Sequence, residues 1–263
     1  MPTLFCYGIR SLIAFLLYAV FFGKRILKNI KKEHIVPCLT IAGAMTFSML
    51  SANISLKYAD PSTAGFLLSI AVIFSPFFSF IFLKRKPAGR IFFPILLTVA
   101  GLYFLCGGGL KFTMGFGEIM GILCSATYAM VMVLSEKHLN VIDVVIVSAF
   151  QTGVGAVISL LLGVITDDIT LLAELPASNW YTVVFLAVFC TFAAFYFQNF
   201  ALSHLSSTFA SILFSTESVF TAVCAYFILD DTMNRFEFIG SALVLIGVVT
   251  ASLSGKNSHA SDS

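Results

Sequence analysis

Nine long apolar runs leave almost nothing of the chain for anything but membrane crossings. They lie at residues 3–23, 35–56, 62–83, 91–107, 116–135, 141–164, 178–200, 206–229 and 237–254. A helix needs about 20 apolar residues to cross a hydrocarbon core of about 30 Å, and most of these runs have that length. Backbone exposed to lipid must satisfy its own hydrogen bonds, which permits helices or a closed barrel. A barrel strand would alternate apolar and polar positions over about ten residues, and a stretch such as Ile239–Val249 does not alternate. Composition closes the soluble alternative: 59% of residues are hydrophobic and 11% charged, against about 45–50% and about 25% in an ordinary soluble domain. The expected fold is an all-α polytopic membrane protein with nine helices, with no room for a second, soluble domain.

The loop charges set an orientation. Lys24, Arg25, Lys28, Lys31 and Lys32 follow the first run, and Lys84, Arg85, Lys86 and Arg90 follow the third. Lys137 follows the fifth and Lys256 the ninth. With simple alternation these eleven basic residues share one side, and only Lys57, Lys111 and Arg235 fall on the other. Basic loops stay cytoplasmic, so the C-terminus is expected inside and the N-terminus outside, in a plasma (inner) membrane. The net charge of +2, spread over short loops, reads as contact with the membrane surface and gives no sign of a nucleic-acid partner. The first run carries its charges after it, unlike a signal peptide.

The six cysteines lie in or beside apolar runs, without C-x-x-C spacing and without histidine at ligand distance in sequence. They read as small packing residues. Neither a metal site nor a cofactor is expected.

Sliding the chain against itself by 146 residues pairs Asn53 with Asn199, Ser69 with Ser215 and Gly101 with Gly247, along with several apolar matches. A shift of 141 sets Arg10 opposite Gln151. The loop charges invert between the copies, basic at Lys84–Lys86 and acidic at Asp230-Asp231. Inverted repeats are a recurring plan of secondary transporters, with the binding site near the midplane between them. The copies are expected at 3–107, with four helices, and 116–254, with five; residues 255–263 form a cytoplasmic tail. The helix at 116–135 has no counterpart, since its equivalent would precede Met1. The pattern reads as a five-plus-five plan lacking its first helix, most simply through a start site placed too far downstream, with a true nine-helix protein as the alternative.

Ala201–Leu229 followed by Asp230-Asp231 combines small residues, a Glu before an apolar stretch and an acidic loop. This segment resembles the ninth helix of EamA-type transporters in the drug/metabolite transporter superfamily. Gly240–Gly247 resembles their tenth helix, and Gly8-Ile9-Arg10 the start of their second. Tyr128 stands where that family usually has Trp, Ser218 where it often has Pro, and Arg85 where the first copy usually has Glu. The resemblance spans nearly the whole chain. It implies an inverted-repeat helical bundle and transport, and is almost silent on substrate.

Six residues are candidates for substrate binding or coupling. Glu217 sits at the middle of its run, and a carboxylate at the bilayer centre costs about 2.5–3.5 kcal/mol on insertion scales. It should face an interior cavity, be paired, or take a proton. Arg10, deep in the first run, could receive an acidic group or pair with Glu217. Asn53, Gln151 and Asn199 are uncharged polar residues in apolar runs, and Tyr128 could line a pocket. Glu118 reads as solvated at a helix mouth, and the Gly117/Gly121 spacing as a weak helix-contact signal.

No P-loop pattern supports ATP coupling within the chain, and neither H-E-x-x-H nor G-x-S-x-G supports an intramembrane enzyme. The favoured reading is a secondary transporter moving a small organic metabolite by alternating access. With one arginine deep in the membrane, a heavily phosphorylated solute fits less well than an amino acid or similar neutral or zwitterionic one. The expected partners are the lipid bilayer, that solute, a coupling proton and, as a further candidate, a second copy of the chain. A non-transporting accessory protein is the alternative.

Overall fold

The structure, a computed structural model, describes residues 3–85, 89–106, 115–166, 177–228 and 234–259. Asp167, Asp168, Glu174, Asp230, Asp231 and the last four residues fall outside the described residues. The described chain is helical, with no strand among its residues. In order come α1 (Thr3–Asn29), α2 (Lys32–Tyr58), α3 (Pro61–Ser69), α4 (Ala71–Leu83), a 3-10 turn (Gly89–Ile91) and α5 (Phe92–Leu105). Then follow α6 (Phe116–Leu139), α7 (Val144–Thr166), α8 (Ala177–Ala187), a π-helical segment (Val188–Ala193) and α9 (Ala194–Leu202). The last are α10 (Ser207–Phe214), α11 (Thr216–Ile228) and α12 (Arg235–His259), which runs into the segment expected as a tail.

Eight of the described helical stretches are long and apolar enough to cross a membrane, with Pro61–Leu83, Trp180–Leu202 and Ser207–Cys224 each counted as one. The ninth expected run is shorter as a helix, Gly89–Leu105. Three of the runs expected as continuous helices are interrupted: at Ile70, through Val188–Ala193, and at Ser215. The apolar period was legible, but the interruptions depend on hydroxyl and proline chemistry that leaves the hydropathy unchanged.

The chain forms two compact units, and each draws on both halves of the sequence. The first joins Met1–Asn53 with Leu134–His204, the second Ile54–Val133 with Leu205–Ser263.

In the first unit α1 packs along α7, and glycines set the distance between them. A Cβ on Gly163 would lie 3.0 Å from the backbone nitrogen of Phe5, and one on Gly8 would meet the backbone of Leu160 at the same distance. Small residues allow such contact where lipid supplies no hydrophobic drive for association. At the basic end of α1, Arg25 Nε donates to Asp143 Oδ2 at 2.7 Å. Asp143 Oδ1 accepts from the Val145 amide at 3.0 Å and so caps α7. The cap should contribute about 0.5–2 kcal/mol. The ion pair, with Arg25 54% exposed, contributes at most about 1 kcal/mol.

The π segment has a visible consequence in the same unit. Its wider turn lets Thr191 Oγ1 reach back to the Leu186 carbonyl at 3.1 Å. The Phe192 carbonyl accepts from Tyr18 Oη at 2.7 Å, with the two rings 4.5 Å apart. Tyr18, Val145 and Ala149 form the apolar core beside this bond.

In the second unit α5 lies against α12. A Cβ on Gly101 would come 2.7 Å from the Val244 amide nitrogen, and one on Gly240 would come 2.6 Å from the Gly101 carbonyl and closer still to the Leu105 amide. Thr98 fills the space over Gly247. Two apolar clusters join these helices to the interrupted ones: Phe66, Leu67, Leu102, Val219 and Val244, and Val72, Ile95, Ile212 and Ala251. The Gly117/Gly121 pair makes close contacts too, with the Ala59 amide and with Ser55 and Leu67 respectively. Glu118, expected to be solvated, is buried, only 6% exposed, because α6 presents that turn to packed neighbours.

Candidate functional site

The two interrupted helices of the second unit are the same element in the two copies. Ser69 ends α3 and Ser215 ends α10, and the 146-residue shift superposes one on the other. Each serine hydroxyl donates to the carbonyl four residues back, Ser69 to Gly65 at 2.8 Å and Ser215 to Ser211 at 3.0 Å. Those acceptors are also repeat-related. Serine back-bonding of this kind competes with the helix ladder and bends it. Thr216 adds a bond from its hydroxyl to the Leu213 carbonyl at 2.7 Å. In the first copy Pro76 lies within α4; it has no amide hydrogen to give to the Val72 carbonyl, which opens the ladder just past Ile70.

A cavity of about 510 Å³ lies at these interruptions, and all of its lining residues belong to the second unit. Ser69, Val72, Ser215 and Ser218 line it where the helices break. Ser218 Oγ lies 3.4 Å from Ser69 Oγ. The Ser69 proton is committed to Gly65, so Ser218 is the donor in that contact. The cavity therefore bridges the two repeat-related breaks through a direct hydroxyl contact. In secondary transporters, interrupted hydrophobic segments at corresponding places in two repeats point to the binding site.

Glu217 lines this cavity from the first turn of α11, and Tyr128 lines it from α6. The Glu217 side chain is exposed to the cavity, and within its unit no hydrogen bond or ion pair among the described residues engages its carboxylate. Its own backbone carbonyl accepts from Thr221 Oγ1 at 2.8 Å. Thr221 also faces the cavity, as do Cys106 and a second carboxylate, Glu237 of α12.

The other four sequence candidates belong to the first unit. Asn199 is fully buried and donates through Nδ2 to Gln151 Oε1 at 2.7 Å and to Ser148 Oγ at 2.8 Å. Asn199 and Gln151 are thus brought together as the centre of a buried polar contact between α9 and α7. Its repeat mate Asn53 does something different: its Nδ2 donates to the Met49 carbonyl of its own helix at 2.9 Å. Arg10 holds its guanidinium 4.9 Å from the centre of the Tyr7 ring, with Nε buried and unpartnered. Replacing Asn199 with Ala should leave Gln151 Oε1 buried without a donor. The expected loss is about 0.6–1.7 kcal/mol, the range for interhelical hydrogen bonds in membranes, measured as a fall in thermal stability in detergent.

Of the sequence candidates, Glu217 and Tyr128 line this cavity; Ser69, Ser218, Thr221, Cys106 and Glu237 line it too and were not among them. The coincidence of Ser69 with Ser215 in the repeat, next to the one proline inside its run, was the available signal. Glu237 looked like an ordinary acidic residue at a helix start. Among the described residues no cluster of His, Cys, Asp and Glu could hold a metal ion.

The sequence matches the family model of the EamA-like transporter family over residues 1–107 and 115–253. It is 25% identical over 203 residues to an uncharacterised transporter of Archaeoglobus fulgidus, a match covering 76% of this chain and 63% of that protein. It is 21% identical over 219 residues to the uncharacterised transporter YyaM of Bacillus subtilis, covering 81% of this chain and 71% of the other. A solved crystal structure superposes with a TM-score of 0.84 at 16% identity, covering 97% of this chain and 90% of that one. That likeness gives the fold.

Proposed function

We propose that this chain, which belongs to the EamA-like transporter family, is a secondary transporter that moves a small amine-bearing metabolite across the plasma membrane by alternating access. The observation that carries this reading is the cavity at the paired helix breaks, with the unengaged Glu217 carboxylate at its wall. Glu217 receives either a coupling proton or the substrate amine, and Tyr128 supplies an aromatic wall. Each requires that group to meet one aqueous side and then the other, which movement around a site between repeats provides. In this reading residues 3–107 and 116–254 are the repeats. Asn199 with Gln151 ties α9 to α7 in the first unit, Arg10 lies over Tyr7 of its own helix, and Asn53 closes a turn of α2.

The test is flux into vesicles holding the purified chain, driven by an imposed proton gradient, with a panel of radiolabelled amines and amino acids. Gradient-dependent accumulation of at least one of them supports the reading; an accessory role predicts none. The orientation is checked separately. A single cysteine at Lys28, in a chain otherwise free of cysteine, should react with an impermeant maleimide only after the membrane is permeabilised, and reaction in intact cells overturns the cytoplasmic placement.

A further inference from the structure

The cavity's charge is one-sided. Its lining holds two carboxylates, Glu217 and Glu237, and no lysine, arginine or histidine among the described residues. Hydroxyls supply most of the remaining polarity, from Ser69, Ser215, Ser218, Thr221 and Tyr128. A helix start ordinarily attracts anions, because its free amides and dipole point positive charge outward. Each helix start at this cavity carries an acidic residue of its own: Glu217 lies in the first turn of α11 and Glu237 in the first turn of α12. Glu237 Oε2 accepts from the Asn234 amide at 3.2 Å, so one of its oxygens is tied to the helix start while the side chain still lines the cavity. The Glu217 carboxylate has no such tie within its unit among the described residues.

Among the described lining residues a solute carboxylate entering here would meet two like charges and no fixed cation. An amine would meet two acceptors of opposite charge, hydroxyl oxygens, and the Tyr128 ring, whose face attracts cations. The volume of about 510 Å³ is in the range of small-molecule pockets, and both carboxylates belong to its lining. We infer that the cavity binds a small organic dication, one amine on Glu217 and a second cationic group on the Glu237 side, and discriminates against amino acids bearing a free carboxylate. This rests on the transporter reading above and replaces the neutral or zwitterionic class expected from sequence with a dicationic one.

Four solutes of matched chain length separate the alternatives: putrescine, γ-aminobutyrate, butanediol and succinate. Binding to the full-length chain in lipid nanodiscs is measured by calorimetry, with folding checked by size exclusion. Putrescine should bind at least about tenfold more tightly than γ-aminobutyrate, and the diol and succinate should bind more weakly still. Glu237→Gln should weaken putrescine by about tenfold while changing the binding of butylamine, which carries a single amine, by less than about threefold. Glu217→Gln should abolish binding of both. Because Glu237 also caps a helix, Glu237→Asp is the companion variant, and it should restore part of the putrescine affinity. The inference is overturned if γ-aminobutyrate binds as tightly as putrescine, if putrescine binds no better than butanediol, or if Glu237→Gln weakens both amines equally. Flux distinguishes this failure from failure of the transporter reading. Glu217-dependent transport of γ-aminobutyrate, with no preference for putrescine, removes the dication class and keeps the transporter. Putrescine binding that needs both glutamates, with no gradient-driven flux of any solute, keeps the binding class and removes the transporter.

Discussion

Glu217→Gln is expected to reduce transport by at least about a hundredfold, or to leave a residual flux that no longer varies with pH, while the protein still folds. The substitution keeps the side chain's volume and removes its charge. Within its unit the carboxylate makes no described hydrogen bond or ion pair, and the bond from Thr221 goes to the backbone carbonyl, which Gln retains. An exposed side chain without a structural partner usually changes stability by no more than about 0.5 kcal/mol, so the thermal midpoint should move by a degree or two at most. The measurement is flux against pH in vesicles, paired with thermal unfolding of the same preparation. Fully active Glu217→Gln with the wild-type pH profile removes both proposed roles of this residue. A large loss of stability would assign Glu217 a structural role instead.

The second large effect is on folding. Gly240→Leu should prevent the chain from reaching a stable folded state, and Gly240→Ala alone should cost about 1–3 kcal/mol. A Cβ at this position meets the Gly101 carbonyl and the Leu105 amide, both backbone atoms that no rotamer change can move aside. By contrast, Gly43 and Gly65 have nothing within 4 Å of a built Cβ. Gly43→Ala is therefore the control, and it should be neutral or slightly stabilising, since alanine favours the helix by up to about 1 kcal/mol over glycine. Fluorescence-detected size exclusion of the detergent-solubilised proteins, followed by thermal challenge, reads both. A normal profile for Gly240→Leu would show that α5 and α12 do not depend on backbone contact at this point.

Membrane class, helical content, approximate spans and the two-copy organisation were legible in the residues alone. Each depends on a property of the chain that solvent imposes locally. A run of about 20 apolar residues has one low-energy disposition in a bilayer, and its backbone has one way to satisfy itself without partners. The burial cost of a charge likewise singled out Glu217, because that cost is set by residue type and depth and needs no knowledge of neighbours. The 146-residue coincidence of Asn, Ser and Gly showed which helices correspond, though it could not say what each copy does with its residues.

How those residues are used depends on packing between helices. Asn53 and Asn199 occupy the same repeat position, yet one bonds its own helix and the other reaches Ser148 and Gln151 on α7. The choice depends on which acceptor a neighbouring helix offers, and that is absent from hydropathy. Ser69 and Ser215 share even their back-bond, and only the fold turns that shared bond into two breaks facing one cavity. Glu237, which reads in sequence as an ordinary helix-start acid, becomes the cavity's second carboxylate because glycine contact between α5 and α12 fixes where α12 begins. Depth in the bilayer is a one-dimensional quantity that a sequence can encode run by run. Which side chains face each other across a cavity is set by helix rotation and separation, and those are fixed only when the small residues of two helices meet.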